Sequence, residues 1–164
     1  MPRWVARKDC YWGSFRISIP LADAHRLSEM NEFLEIAGLR VTVDKVVYVP
    51  NLPSPPEQPY SFVYFITIHN DSETTVTIRG RKWVVRDTDG DITAVEGDGV
   101  VGEFPEIGPG ETFSYNSRHV LATKNGEAEG SYLGVDELGR KVIVRIPRFQ
   151  MAVTDVAPGD EMWA

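Results

Sequence analysis

Nine short runs of β-branched and aromatic residues, each closed within a few positions by turn-forming residues, fill the chain from residue 41 onward. The predicted strands are 41–49, 62–69, 75–79, 82–86, 92–95, 112–115, 131–135, 141–146 and 149–153. Turn chemistry separates them: Asn70-Asp71-Ser72, Asp89-Gly90, Gly108-Pro109-Gly110, Asn125-Gly126 and Leu138-Gly139. After the first run, Pro50, Pro53, Pro55, Pro56 and Pro59 make a stiff, extended connection that no sheet interior accepts. No helical period falls between the runs, so the pattern excludes βαβ units and predicts an all-β sandwich or barrel.

The first forty residues have a different texture. From Leu21 to Ala37 the spacing of Leu27, Met30, Leu34 and Ala37 predicts an amphipathic helix, with Asp23 as its cap, Gly38 as its stop, and Phe33 and Ile36 widening the apolar stripe. Such a stripe is costly to expose, so it packs in cis or forms a homodimer contact. Residues 1–20 interleave Arg3, Arg7, Lys8 and Arg16 with Trp4, Tyr11, Trp12 and Phe15. That mixture suits either an anionic surface or, as expected here, aromatics docked on the neighbouring domain with their cations in water. The predicted organisation is an N-terminal helical extension (1–38), a sandwich domain (39–156) and a C-terminal tail (157–164).

A chain of 164 residues with 42% hydrophobic residues can fill one core. Its 17 bases stand against 24 acids, for a net charge of -7. Eight of those acids lie between Asp87 and Glu111, a stretch without Lys, Arg or His; elsewhere the two signs nearly cancel. This balance argues against a nucleic-acid partner. No apolar run reaches membrane-spanning length and the N-terminus carries charges through any signal-peptide core, so no membrane partner and a cytoplasmic location are expected. The single cysteine, Cys10, excludes an intramolecular disulfide and a Cys-only metal site.

Within the acidic stretch, Gly97, Gly99 and Gly102 match the spacing G-x-G-x-x-G, a candidate ligand loop for a nucleotide pyrophosphate or other phosphate. That fingerprint needs a helix immediately after the glycines, whereas Pro105 and Gly108-Pro109-Gly110 follow here, and Asp98 and Glu103 would repel phosphate. The alternative is a structural loop permitting positive φ. Asp87, Asp89, Asp91 and Asp98 are the candidate ligands for a divalent cation, since clustered carboxylates suit hard ions. They resemble a calcium loop, but the glycine falls at position four and no glutamate stands at position twelve, so Asp89-Gly90 reads better as a hairpin turn. No resident cofactor is expected otherwise.

The remaining candidates are thin. His25, His69 and His119 sit on different predicted elements, and Ser117 with His119 lacks both an orienting acid and an oxyanion hole. Alternation places Trp83 in the core with Arg81 at its edge, and assigns Arg79, Arg81, Lys82 and Arg86 mainly to ion pairs with the neighbouring hairpin. Asn70-Asp71-Ser72 matches a glycosylation sequon that matters only on secretion.

From about Val41 to Val153 the sequence resembles the ApaG domain. The resemblance is carried by Tyr60-Ser-Phe-Val-Tyr64, Ile66-Thr-Ile68-His-Asn70, Arg81-Lys-Trp83-Val-Val-Arg-Asp87 with Asp89-Gly90, and Val95-Glu-Gly97-Asp-Gly99-Val100-Val101-Gly102. Pro105, Pro109-Gly110-Glu-Thr-Phe113-Ser-Tyr115-Asn-Ser117, Gly126, Gly130-Ser-Tyr132 and Ile146-Pro147-Arg-Phe149 continue it in order. Arg118, Lys124 and Ala128 depart from the family pattern, where glycine, proline and methionine are looked for.

The resemblance implies an immunoglobulin- or fibronectin type III-like β-sandwich. It occurs alone in bacteria and as a module in larger eukaryotic proteins, including an F-box protein and a DNA polymerase-associated protein. It also implies an association with cobalt and magnesium tolerance, and it transfers no catalytic residues. The expected function is therefore a non-enzymatic protein-interaction module. The alternative is a small-ligand or divalent-cation sensor built on the Gly97–Gly102 loop.

Overall fold

A computed structural model of the chain describes residues 33–154. Eight strands make up this region: β1 (Leu39–Tyr48), β2 (Tyr60–Asn70), β3 (Val76–Asp87), β4 (Ile92–Asp98), β5 (Glu106–Ile107), β6 (Thr112–Leu121), β7 (Asn125–Asp136) and β8 (Lys141–Ala152). They form two antiparallel sheets, β1-β2-β6 and β4-β3-β7-β8, with the short β5 paired to the start of β3. An all-β sandwich is thus observed. No helix occurs among the described residues, and none is long and apolar enough to cross a membrane.

Period-two alternation builds the core. On β2, Phe62, Tyr64, Ile66 and Ile68 are buried, and on β3 Val76, Ile78, Trp83 and Val85 face them from the opposite sheet. Lys82 and Arg86 lie on the outer face, as alternation requires. There they join a ladder of ion pairs: Lys82 with Glu96 at 3.2 Å, and Arg86 with Glu129 at 2.9 Å. Arg148 of β8 reaches Glu129 from the other side at 3.1 Å. These pairs are partly exposed, so they contribute little stability.

Two expected strand breaks are absent. The runs 75–79 and 82–86 are one strand, because a register shift between Ile78 and Gly80 lets β3 bulge and continue. The runs 141–146 and 149–153 join in the same way: β8 bulges at Pro147 and Arg148 opposite the interval between Ala128 and Gly130. Proline is tolerated there because β8 is an edge strand. Asn125-Gly126 does not turn the chain but opens β7.

The predicted helix over residues 21–37 fails where it can be seen. Leu34 instead forms a parallel bridge to Val142: its amide donates to the Lys141 carbonyl (2.8 Å), and the Ile143 amide donates to the Leu34 carbonyl (3.0 Å). Gly38, expected as a helix stop, has φ 93° and turns the chain into β1. The rest of the extension, including Leu27, Met30 and the homodimer contact assigned to them, lies outside the described residues. So do the C-terminal tail, Cys10 and His25.

Asn70 shows how one polar side chain fastens the loop between β2 and β3. It is fully buried, and its amide donates to the carbonyls of Thr74 (2.7 Å) and Ile107 (2.8 Å). Its oxygen accepts from the Ser72 amide (3.1 Å) and hydroxyl (2.5 Å). The sequon asparagine is therefore a structural staple that ties the loop to β5. Asn70→Ala is expected to destabilise the fold by about 2 kcal/mol, because it takes the side-chain donor from the buried Ile107 carbonyl and the acceptor from the Ser72 amide. Urea unfolding of the variant against the parent protein measures this.

Candidate functional site

The glycine pattern folds into a hairpin without a helix. Gly99 and Gly102 have φ of 62° and 82°, and Val101, between them in sequence, has φ 44°. Val100 and Glu103 exchange two amide-carbonyl bonds of 2.8 and 2.9 Å around Val101-Gly102. Positive φ at both central residues makes this a type I′ turn, which glycine tolerates well and valine poorly. Gly99 is needed for another reason: a Cβ there would sit 2.4 Å from the Glu103 carbonyl oxygen. The Gly99 amide donates to the Arg79 carbonyl at 2.8 Å. The amides of Gly99, Val100 and Glu103 are thus spent inside the protein, whereas a phosphate loop presents its amides to the ligand.

Arg81 holds this loop from below. Its Nη1 donates to the carbonyls of Asp98 (2.9 Å) and Gly99 (3.0 Å). Gly97 has no side chain where a Cβ would lie 2.8 Å from the guanidinium. All three glycines of the pattern have structural tasks, and two of them, Gly97 and Gly99, lie against the Arg81 guanidinium.

The positive charge of Arg81 also reaches inward, to a buried hydroxyl pair. Tyr115 and Tyr132 hydrogen-bond to each other through their hydroxyls. Burial, chiefly, pushes both phenols well above their ordinary pKa, with Arg81 opposing the shift. Around them an aromatic centre closes: Tyr64 packs on Trp83 at 5.1 Å and stacks on His119 at 4.7 Å, and Trp83 meets His119 edge-on at 4.8 Å. Burial lowers the His119 pKa to about 3, so the ring is neutral at physiological pH. His119 is a core residue, 2% exposed.

Of the four candidate metal ligands, Asp87, Asp89 and Asp91 share one hairpin, and Asp98 lies away from them. Asp87 sits at the β3–β4 hairpin, where its Oδ1 accepts from the amides of Asp89 (3.0 Å) and Asp91 (3.1 Å). Asp98 is at the far end of β4, about 20 Å away at the rise of an extended strand. No group of three or more His, Cys, Asp or Glu able to hold a metal occurs among the described residues. The acidic run is contiguous in sequence but distributed in space, because a hairpin, an edge strand and a second turn carry its members apart.

A polar network on the outer face of β1-β2-β6 carries no signal in the sequence. Asp44, at the β1 bulge, accepts from the hydroxyls of Thr42 (2.8 Å) and Thr67 (2.5 Å). Thr42 hydrogen-bonds His69 Nε2 (2.9 Å), and Thr67 bonds Ser114 (2.8 Å). The Thr67 bond most strongly holds the Asp44 carboxyl below its ordinary pKa, against the opposing effect of desolvation. Only the strand register brings these residues together.

The chain is similar to known proteins. The sequence profile of the ApaG domain matches residues 50–136. The chain is 42% identical over 109 residues to Protein ApaG of Vibrio cholerae serotype O1, covering 66% of this chain and 86% of that one. It is 37% identical to Protein ApaG of Acidithiobacillus ferrooxidans over the same length and coverage. A solved Bordetella pertussis protein described as ApaA superposes with a TM-score of 0.64 at 34% identity, covering 72% of this chain and 97% of that one. With the profile spanning the glycine loop, Arg81, Tyr115 and Tyr132, and with relatives matched over most of their length, the chain belongs to the ApaG family.

Proposed function

We propose that this ApaG-family protein is a cytoplasmic, non-enzymatic interaction module on a fibronectin type III-like sandwich, and that it acts by binding a protein partner. The sheet order, three strands against four, supports that version of the sandwich. The binding reading is carried by where the reactive side chains go. Tyr115, Tyr132, His119 and Asn70 are committed to internal bonds and ring contacts. Besides the polar outer faces of the sheets, solvent meets sheet edge, loop and an open groove of about 550 Å³ between β1 and β8, lined by Ile36, Leu39, Val41, Ile143 and Pro147 with Glu35, Arg40 and Arg145. Such surfaces suit recognition of extended segments. A role in cobalt and magnesium tolerance would, on this reading, pass through the partner.

Affinity capture with the full chain from extract of its native cells tests this. A discrete protein enriched over an unrelated sandwich domain is expected. Repeated capture of nothing above that control overturns the reading.

A further inference from the structure

The outer edge of β4 differs from the edges offered by β1 and β8. At both ends of its ladder with β3 the bonding pattern is fixed: the Asp87 amide donates to the Asp91 carbonyl (3.1 Å), and the Gly99 amide to the Arg79 carbonyl (2.8 Å). The register between is continuous, with Arg81 opposite Gly97, Trp83 opposite Val95 and Val85 opposite Thr93. Antiparallel pairs alternate between bonded and non-bonded, so Thr93, Val95 and Gly97 spend their backbone groups on β3. The amides and carbonyls of Ile92, Ala94 and Glu96 therefore point away from the sheet, and among the described residues no other strand pairs with them.

Charge sets the character of this edge. Asp91, Glu96 and Asp98 lie on or beside it, Glu103 follows in the next loop, and Glu106 opens β5. The nearby cations are already engaged. Lys82 is 3.2 Å from Glu96, Arg81 is bonded to the loop carbonyls, and Arg79 lies 6.0 Å over the Phe104 ring. By contrast, β8 carries Arg145, Pro147 and Arg148, and β1 carries a bulge and Lys45, the devices that discourage strand addition. On β4 there is neither proline nor lysine. Its acids repel a second copy of the same edge, since like charges oppose each other across a pair, but they attract a basic strand. Exposed apolar anchors flank it, with Ile92 at 38% and Phe104 at 52% exposure.

We infer that β4 is a docking edge for a basic, extended segment of a protein partner, which adds as a further strand and pairs with Ile92, Ala94 and Glu96. The inference rests on the binding-module reading and specifies its partner chemistry. Main-chain bonds supply the register, and the acids select for Lys or Arg alternating with small apolar residues.

The probe is an octapeptide alternating Lys and Val, compared with its Glu and Val counterpart, on the full chain. The basic peptide is expected to bind and to slow amide exchange at Ile92, Ala94 and Glu96, with the acidic one at least about tenfold weaker. Ala94→Pro removes one outward amide without breaking a β3 bond and is expected to weaken binding about tenfold at unchanged m-value. Should that variant fail to fold, the double variant Glu96→Lys with Asp98→Lys replaces it, and preference is expected to reverse toward the acidic peptide. Equal binding of both peptides, or protection confined to β8, overturns the inference. A native partner captured equally by the parent and Ala94→Pro also overturns it, while leaving the binding-module reading intact.

Discussion

Acidification from pH 7 to pH 4 is expected to cost the fold about 3 kcal/mol through His119 alone. In the unfolded chain this ring takes up its proton near pH 6.5, whereas in the folded protein burial delays protonation to about 3. Between those values the unfolded state binds more protons, so stability falls with falling pH at up to about 1.4 kcal/mol per unit. The loss begins below pH 6.5 and ends near pH 3, and above pH 6.5 the residue imposes no such penalty. Replacing the ring with Phe keeps an aromatic against Tyr64 and Phe149, its stacking partners at 4.7 and 6.4 Å, and removes the titration. Urea unfolding at pH 7, 5.5 and 4 should show parent and His119→Phe diverging, with the parent the steeper. Parallel pH profiles would show that the ring is not held neutral by burial.

The second large effect is expected from a single methyl group. Gly130 of β7 lies opposite Trp83 of β3, and a Cβ there would stand 2.2 Å from the Lys82 carbonyl oxygen and 3.2 Å from the indole. The obstacle is neighbouring backbone, which cannot rotate aside, so Gly130→Ala must displace the strand that carries the buried Trp83. A cost of about 3 kcal/mol or more follows, at the upper end for overpacking. Ser131→Ala, one residue on, is the control and should change stability by no more than about 0.5 kcal/mol. Thermal unfolding of both variants measures the contrast; a Gly130→Ala protein as stable as the control would refute the close-approach account.

Much of the sandwich was legible because alternation is local. Phe62, Tyr64, Ile66 and Ile68 announce a buried face at every second position, and the β2 register follows. The bulges were not legible. Gly80 and Pro147 carry the same chemistry whether they end a strand or bend it, and only pairing with β7 decides. The spacing around Leu34 fits a helix as well as it fits nothing in particular; the neighbouring edge of β8 settles it as a strand bridge.

At the candidate site, residue identity was readable but connection was not. Arg81 was placed correctly at the rim of the core, yet its bonds to the Asp98 and Gly99 carbonyls depend on a loop returning from β4. Asp98 looked like one group with Asp87, Asp89 and Asp91, but an extended strand carries it to the far end of the hairpin. The Asp44 network was invisible for the converse reason: its members stand on three strands, with Thr67 and Ser114 separated by 47 in sequence.

The bonds from Arg81 end on carbonyls, and every residue type supplies a carbonyl. The anchor of the loop is therefore indifferent to the side chain at position 98, which can change in charge or size while the loop remains fastened. Divergence within the family can rewrite the chemistry displayed at this corner without redesigning the structure that holds it. Arginine at position 81 and the missing side chain at Gly97 are the parts that must stay fixed for that freedom to exist.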